Sequence, residues 1–193
     1  VGVRYVQNAI RWADQAGCPA VDTTDDKHKP EGMSDRESLH LLKQAYGEIV
    51  KIAEAHKISV NCEPHGYFTT KPEFMAEILS FYESPYINMN MDTGNTFIAG
   101  QDPVAFVQEF KNRIRHVHIK VVSESLAKAA RGELTGIAMS HCAIGDGVDA
   151  ENIRSCVGIL LTNGYNGVFS LECEGCVLEK SLEWFRRLQT EMK

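Results

Sequence analysis

The sequence has 193 residues, of which 44% are hydrophobic and 24% are charged, and its formal net charge is −6. These values exclude a disordered, low-complexity or collagen-like chain and predict a soluble globular domain. No apolar run reaches the roughly 18 residues that a membrane span requires, and the acidic balance argues against a nucleic-acid partner. Six cysteines are too few for a disulfide scaffold and no signal-peptide pattern opens the chain, so we expect a reducing, cytoplasmic setting.

Helix and strand patterns alternate along the chain. The first helix, over 3–17, is amphipathic, because apolar residues recur at Val3, Val6, Ile10 and Ala13 before a glycine that ends it. Five strands are predicted, at 20–24, 58–63, 87–92, 114–120 and 167–172. Five further helices are predicted, at 34–57, 72–82, 102–112, 150–164 and 178–192. The alternation is typical of an α/β fold with a parallel sheet and covering helices.

Residues 121–150 interrupt the alternation. A helix is expected near 124–130, followed by a glycine-punctuated stretch that ends in GDGVD. Elsewhere, Ser34 and Asp102 fit the N-cap positions of their helices. The large aromatic residues at helical spacing are expected in the core. They are Trp12, Trp184 and Phe185.

Four of the five strands have one apolar and one polar face, since alternate residues of a strand point to opposite sides. Each polar face ends in an acid or an imidazole at or near the carboxyl end of its strand. These end residues are Glu63, Asp92, His118 and Glu172. A doubly wound sheet would carry apolar residues on both faces. A closed barrel fits better, because its inner face opens into the active-site mouth at the carboxyl ends of the strands.

In such a barrel, the three carboxylates and the imidazole converge from four strands. Three carboxylates without a cation would repel one another. The cluster therefore predicts a divalent metal ion, Mn²⁺ or Mg²⁺ by preference, with Co²⁺ or Zn²⁺ as alternatives. The competing interpretation is four unrelated polar residues, each solvated at the end of its strand.

Several segments together resemble the xylose isomerase-like TIM-barrel family, the sugar phosphate isomerase and epimerase group. They are VNCEPHG (60–66), MDTGNTFIAGQDP (91–103), RHVHIK (115–120), IGDGVDAENI (144–153) and GYNGVFSLECEG (164–175). The resemblance implies one domain over 1–193, a parallel (β/α)₈ TIM barrel that lacks its first three βα units. By typical unit length, roughly 70–90 residues are expected to be missing before the first residue. Unpaired sheet edges would favour association, so we expect a homo-oligomer, most simply a dimer.

The resemblance also implies an activity, the isomerisation or epimerisation of a small sugar, sugar phosphate or polyol through an enediolate. Glu63 and Glu172 would be the acid/base pair as well as metal ligands, with Asp92 and His118 completing the ligand set. Four further residues are expected to contact substrate. They are His65, Asn95, His116 and Lys120.

Some of these positions carry open alternatives or departures from the family pattern. His116 fits a hydrogen-bonded core histidine equally well, and Lys120 fits a solvated rim charge. Many family members have histidine at the position of Asn95. The 3-epimerases carry a substrate-binding arginine where this chain has Glu124, which argues against ketohexose 3-epimerase activity.

Three other functions compete with an isomerase or epimerase. An inosose-type dehydratase would use the same metal site. The related AP endonucleases need a histidine-rich three-zinc cluster and a basic surface, which seven histidines and a charge of −6 do not provide. A truncated barrel without catalytic activity is the third. His141 fits either a residue over the mouth or an ordinary loop histidine, and Cys173 and Cys176 lack the partner pair of a structural zinc site.

Overall fold

The computed structural model describes residues 2–132 and 140–192, and the chain divides into two compact units, 1–90 and 91–193. The elements of the first unit are α1 (Gly2–Ala16), β1 (Ala20–Thr23), α2 (Asp35–His56), β2 (Ser59–Cys62), α3 (Pro72–Leu79) and β3 (Ile87–Asp92), whose last two residues belong to the second unit. The second unit continues with α4 (Thr93–Ile98), α5 (Pro103–Phe110), β4 (Ile114–Lys120), α6 (Glu124–Ala130), α7 (Ala150–Thr162), β5 (Val168–Glu172), a 3₁₀ turn (Gly175–Val177) and α8 (Leu178–Glu191).

Within the described ranges, none of the helices has the length and apolarity needed to span a membrane. The five predicted strands are confirmed to within two residues, and that the chain is one domain stays a prediction.

The first unit contains three parallel strands, and two of its three helices, α1 and α2, pack on them. β1 pairs with β2 and β2 with β3, so that Val21 lies opposite Val60 and Val60 opposite Ile87. Helix α1 packs against α2 and β1. Burial of the apolar stripes of both helices on the strands removes these side chains from water, which stabilises the unit. The buried cluster is Ile10, Ala13, Ile49, Ala53, Ile58 and Val60.

The polar faces of these three strands are joined by side-chain hydrogen bonds. The Asn61 amide donates to Asp22 at 2.9 Å, and the Ser59 hydroxyl donates to the Asn61 carbonyl at 2.7 Å. The Asn88 amide donates to the Ser59 hydroxyl at 2.9 Å. Buried amides are costly unless they are hydrogen-bonded. The polar face that strand parity predicts therefore has partners inside the protein.

Helix ends follow the local sequence. Ser34 forms a complete capping box with Glu37 at the start of α2, and the Asp102 carboxylate accepts from the Val104 N–H at the start of α5. Helix α1 ends at Gly17, whose φ of +72° lies in the left-handed region that glycine adopts without strain. The two predicted N-caps are therefore confirmed.

The prediction for Trp12 is wrong. The side chain of Trp12 is 64% exposed, whereas Phe185 is buried and Trp184 is partly buried. The face of α1 that packs on the first unit carries Ile10 and Ala13, and position 12 lies about 200° around the helix from position 10. Helical spacing alone does not show which side of a helix packs against the rest of the protein, so it could not show that Trp12 lies on the exposed side.

The second unit contains the parallel pair β4 and β5. His116 lies opposite Val168, His118 opposite Ser170 and Lys120 opposite Glu172, so the two carboxyl ends are aligned. Helix α5 packs against α7. The apolar side of β5 contacts α8 through Phe169 and Phe185, whose ring centroids are 5.4 Å apart. This register places the side chains of Lys120 and Glu172 at one end of the pair.

The segment between β4 and α7 is anchored to the end of β4. The expected helix is confirmed as α6, and residues 133–139 lie outside the described residues. The Val122 N–H donates to the Asp149 Oδ1 at 2.9 Å, and the Ser123 N–H donates to the Ser140 hydroxyl at 2.9 Å. Asp149 is buried, and its Oδ2 has no hydrogen-bond partner among the described residues. Burial raises the pKa of the Asp149 carboxyl to about 6.

We expect Asp149→Asn to make the protein's stability less dependent on pH. Because the folded-state pKa is raised from 3.8 to about 6, ionisation opposes folding, and stability falls as the pH rises through this interval. The asparagine keeps the acceptor for Val122 and has no charge, so its advantage over the wild type should grow by about 2–3 kcal/mol between pH 4 and pH 7. Urea unfolding across this pH range measures the difference.

The matched control is Asp146→Asn in the same segment, where the carboxylate forms an exposed ion pair with Lys180. Its stability difference from the wild type should stay small across the same pH range, because exposed pairs contribute little. A pH-independent difference for Asp149→Asn would contradict the assignment.

Candidate metal centre

Three side chains with metal-binding chemistry meet in the second unit, at the carboxyl ends of their strands. Asp92 is the last residue of β3, Glu172 is the last residue of β5, and His118 lies two residues before the end of β4. The His118 Nδ1 lies 3.0 Å from the Glu172 Oε1 and 3.9 Å from the Asp92 Oδ2. Three of the four residues that strand parity predicts to converge are therefore neighbours within one unit.

The Asp92 carboxylate is fully buried at the junction of β3 and α4. Its Oδ1 accepts a hydrogen bond of 2.6 Å from the Asn95 N–H, so Asp92 is the N-cap of α4. Its Oδ2 faces His118. The sequence prediction missed α4, which has only six residues, although an aspartate whose carboxylate can accept from the N–H three residues later is a typical helix start signal.

Lys120 brings a positive charge to the same carboxylates. Its Nζ lies 3.1 Å from the Glu172 Oε2 and 4.0 Å from the Asp92 Oδ2, and its side chain is only 8% exposed. The interpretation of Lys120 as a solvated rim charge is therefore wrong. This lysine is a buried partner of the cluster, and its contact with substrate stays a prediction.

A glycine and a threonine of α4 hold Lys120 in place. A Cβ at Gly94 would lie 2.8 Å from both the Cβ and the Cγ of Lys120, so only glycine allows the helix to approach this closely. The Thr93 hydroxyl accepts from the Lys120 N–H at 3.1 Å. The packing of α4 on the end of β4 thus fixes the lysine stem beside Asp92.

Glu172 is ionised in this environment. The hydrogen bond from His118 is the largest cause that lowers the pKa of its carboxyl, which falls to about 2. Partial burial raises this pKa, and the positive charge of Lys120 lowers it further. At neutral pH, Glu172 is therefore a carboxylate, which can bind a cation or accept a proton.

The other predicted contact residues of the second unit have defined positions. The His116 Nε2 hydrogen-bonds with the Ser170 hydroxyl at 2.7 Å, and its ring packs edge-on against His118. Asn95 is buried, and its backbone N–H donates to the carboxylate of the N-cap residue Asp92. His141 pairs with Glu174 at 2.6 Å just beyond the end of β5. No described group of three potential ligands includes Cys173 or Cys176, whose metal role has no support in the described part of the chain.

Glu63 and His65 lie in the first unit, directly after β2. The Glu63 N–H donates to the Thr23 carbonyl at 2.8 Å, and its Oε2 accepts from the Asn90 amide at 3.2 Å. The His65 N–H donates to the Thr69 hydroxyl, which itself donates to Asp25 at 2.6 Å. These bonds hold the loop after β2 against the loop after β1.

Each carboxylate of the second unit lies close enough to His118 to share a divalent cation with it. Two donor atoms that each lie about 2.1 Å from one ion are at most about 4.2 Å apart. The separations of 3.0 Å and 3.9 Å from His118 Nδ1 satisfy this limit for each pair, but Asp92, His118 and Glu172 are not among the described groups of three whose donor atoms all lie within 4.8 Å of one another. One imidazole and two carboxylates suit Mn²⁺, Mg²⁺, Co²⁺ or Zn²⁺, so the geometry does not select the metal.

Known proteins share this sequence pattern and this fold. The sequence profile described as xylose isomerase-like TIM barrel matches residues 1–188. An inosose dehydratase of Clostridium beijerinckii is 25% identical over 147 residues, which are 72% of this chain and 48% of the relative. The chain thus spans about half the length of the curated relatives it matches.

Solved structures agree on the fold. A D-tagatose 3-epimerase-like protein superposes with a TM-score of 0.81 at 24% identity, over 98% of this chain and 69% of its own. A xylose isomerase-like TIM-barrel protein of Mycobacterium smegmatis, in complex with magnesium, gives 0.74 at 17% identity, over 98% of this chain and 67% of its own. At these identities the likeness is one of fold.

We expect Asp92→Asn to abolish most divalent-metal binding without unfolding the protein. Asparagine is as good an N-cap as aspartate, so α4 persists, while the charged ligand is lost. Affinity for Mn²⁺ should fall by at least about 100-fold. Loss of a residue that merely hydrogen-bonds to a metal ligand already costs up to about 100-fold in metal affinity, and loss of a ligand itself should cost no less. Isothermal titration of the metal-free protein measures it.

Asp102→Asn is the matched control, since Asp102 caps α5 through the same kind of hydrogen bond. This variant should bind Mn²⁺ as the wild type does. Equal affinities for the two variants would contradict the role of Asp92 as a ligand.

Proposed function

The chain belongs to the xylose isomerase-like TIM-barrel family, and on that premise we propose that it catalyses the metal-assisted isomerisation or epimerisation of a small sugar, sugar phosphate or polyol. The observation that carries the proposal is the cluster of Asp92, His118 and Glu172 at the carboxyl ends of three strands. Active sites of TIM barrels form at this end of the strands. The curated relatives that match this chain are named inosose dehydratases, and an inosose is a polyhydroxylated ketone.

In this proposal Asp92, His118 and Glu172 hold the cation, together with Glu63 as the family pattern implies. When bound, a divalent cation supplies Lewis-acid polarisation of a substrate carbonyl, which acidifies the neighbouring C–H. Mn²⁺ or Mg²⁺ remains our first expectation. The ligand set of two or three carboxylates and one imidazole supports either ion.

Proton transfer is the task of the two glutamates. Glu172 is a carboxylate at neutral pH, and we assign to it, as the family resemblance implies, the removal of the proton from the carbon next to the carbonyl, which leaves an enediolate. Transfer of the hydroxyl proton from one enediolate oxygen to the other, followed by reprotonation at the other carbon, gives an isomer. Reprotonation of the same carbon from the opposite face gives an epimer. We assign the opposite face to Glu63, as the family resemblance implies.

Four polar residues are proposed to orient the substrate. They are His65, Asn95, His116 and Lys120. The hydrogen bond of His116 with Ser170 fixes its ring, and the ammonium group of Lys120 beside Glu172 suits a hydroxyl or an anionic oxygen. Rigid donors of this kind position a polyol without reorganisation.

A dehydratase is the second candidate, favoured by the curated relatives, which are inosose dehydratases. The first step is the same removal of a proton next to a carbonyl. The enolate then expels the adjacent hydroxyl, which leaves as water when an acid supplies a proton. The Lys120 ammonium group, 3.1 Å from Glu172, is such a proton donor.

Proton exchange in D₂O tests both candidates, because it detects the first step whatever the final product. With Mn²⁺ present, the protein should exchange the C–H next to the carbonyl of at least one member of a panel of ketoses and inososes. Glu172→Gln should slow this exchange by about 10²–10⁴-fold, the usual contribution of a general base. Proton NMR measures the exchange, and mass spectrometry distinguishes an isomer from a product lighter by one water.

Glu174→Gln is the matched control, since Glu174 lies two residues further along and pairs with His141 at the surface. Its exchange rate should equal that of the wild type. Absence of exchange with every substrate, by a protein that binds Mn²⁺, would refute the catalytic proposal.

We also propose that the protein forms a homodimer through the exposed aromatic side chains of α1. Two large aromatic side chains of α1, Tyr5 at 71% and Trp12 at 64%, are exposed. Exposed aromatic residues are enriched in contacts between proteins.

A cytoplasmic setting stays a prediction.

Light scattering coupled to size exclusion should give twice the chain mass for the wild type and a smaller mass for Trp12→Gln. The control is Leu41→Gln, an exposed apolar residue of α2, which should leave the mass unchanged. A monomeric wild type would refute the dimer.

A further inference from the structure

Lys120 is a buried cation beside the same two carboxylates as the proposed metal. Its Nζ lies 3.1 Å from the Glu172 Oε2 and 4.0 Å from the Asp92 Oδ2. The other described lysine–carboxylate pairs of this unit have mostly solvent-exposed ammonium groups. They are Lys128 with Glu124 and Lys180 with Asp146. A buried lysine is tolerated only when carboxylates compensate for its lost hydration.

The carboxylates depend on Lys120 in turn. Asp92 is fully buried. Because it is the N-cap of α4, its Oδ1 accepts a hydrogen bond from the Asn95 N–H. Asp92 and Glu172 both approach His118 Nδ1, and two carboxylates beside one imidazole repel each other unless positive charge lies nearby. Lys120 supplies such a charge in the absence of a metal ion.

The lysine cannot withdraw far when a second cation arrives. Its backbone N–H is bound by Thr93, and its Cβ and Cγ pass directly beside Gly94. Two positive charges held near the same pair of carboxylates repel each other, and the repulsion is strong because the site is buried. Binding of a divalent ion must therefore work against the lysine charge.

We propose that Lys120 is the resident cation of the metal-free site, which stabilises the fold before the metal binds and lowers the affinity for the metal. This inference rests on the proposed metal site. It assigns to the lysine the control of metal occupancy, in addition to any contact with substrate. The metal ion can replace the lysine charge, so one of the two cations suffices to keep the carboxylates together.

Two variants separate the charge of Lys120 from its hydrogen bond. Lys120→Met keeps an unbranched apolar stem without the charge, and Lys120→Gln also keeps a donor for Glu172. Both metal-free variants should unfold at a lower temperature than the wild type, and saturating Mn²⁺ should remove this deficit. Both should bind Mn²⁺ at least about 10-fold more tightly in isothermal titration of the metal-stripped full chain, the change that 1.4 kcal/mol produces.

Lys128→Met is the control for loss of a lysine in the same unit, because Lys128 forms an exposed pair with Glu124. Its Mn²⁺ affinity and its unfolding temperature should match those of the wild type. A change in this control equal to that of the Lys120 variants would show a general effect of net charge and overturn the inference.

Each remaining outcome is decisive. Affinity that is unchanged or weaker in Lys120→Met overturns the inference, and recovery of wild-type affinity in Lys120→Gln would then make the lysine a positioning residue for Glu172. A variant that stays unfolded with and without Mn²⁺ also overturns it, since the metal should replace the lysine charge. If the wild type and both variants bind no Mn²⁺, the proposed metal site itself fails, which is a distinguishable result.

Discussion

The buried carboxylate of Asp92 is the constraint on which the second unit of this protein depends. A carboxylate without water needs hydrogen bonds and positive charge, and the chain supplies these from different directions. Its Oδ1 accepts from the first turn of α4, through the Asn95 N–H. Its Oδ2 faces His118 and Lys120 on β4. One side chain thus starts a helix, joins it to the neighbouring strand and presents an oxygen to a cation.

The local sequence around Asp92 makes this arrangement possible. Thr93 bonds to the backbone of Lys120, and Gly94 leaves room for the lysine stem. A larger residue at position 94 would force α4 away from β4, and the charges around Asp92 would separate. Residues without chemistry of their own therefore determine the distances in the candidate metal centre, as is usual for sites with rigid support.

The chemistry common to the family explains why its members carry different activity names. In the proposed chemistry, isomerisation, epimerisation and dehydration share one first step, the removal of a proton from a carbon next to a carbonyl. In the proposed function, the ligand cluster and the ionised Glu172 would serve that step. The final product depends on where a proton returns and on whether a hydroxyl leaves, and other residues around the substrate decide both. A fold and a ligand set are therefore informative about the step and much less so about the product.

Sequence alone determined the alternation of helices and strands, the N-caps at Ser34 and Asp102, and the polar faces of the strands, because these depend on periodicity and on neighbours within a few residues. Strand parity also placed Asp92, His118 and Glu172 on faces that meet. Only the tertiary structure decided the burial of Lys120, the exposure of Trp12 and the hydrogen bond of His116 with Ser170. Periodicity says which residues share a face, whereas the partner that covers this face comes from distant parts of the chain. Helix α4 was missed for a related reason: a six-residue helix has too few turns to show a period, and its packing on β4 stabilises it.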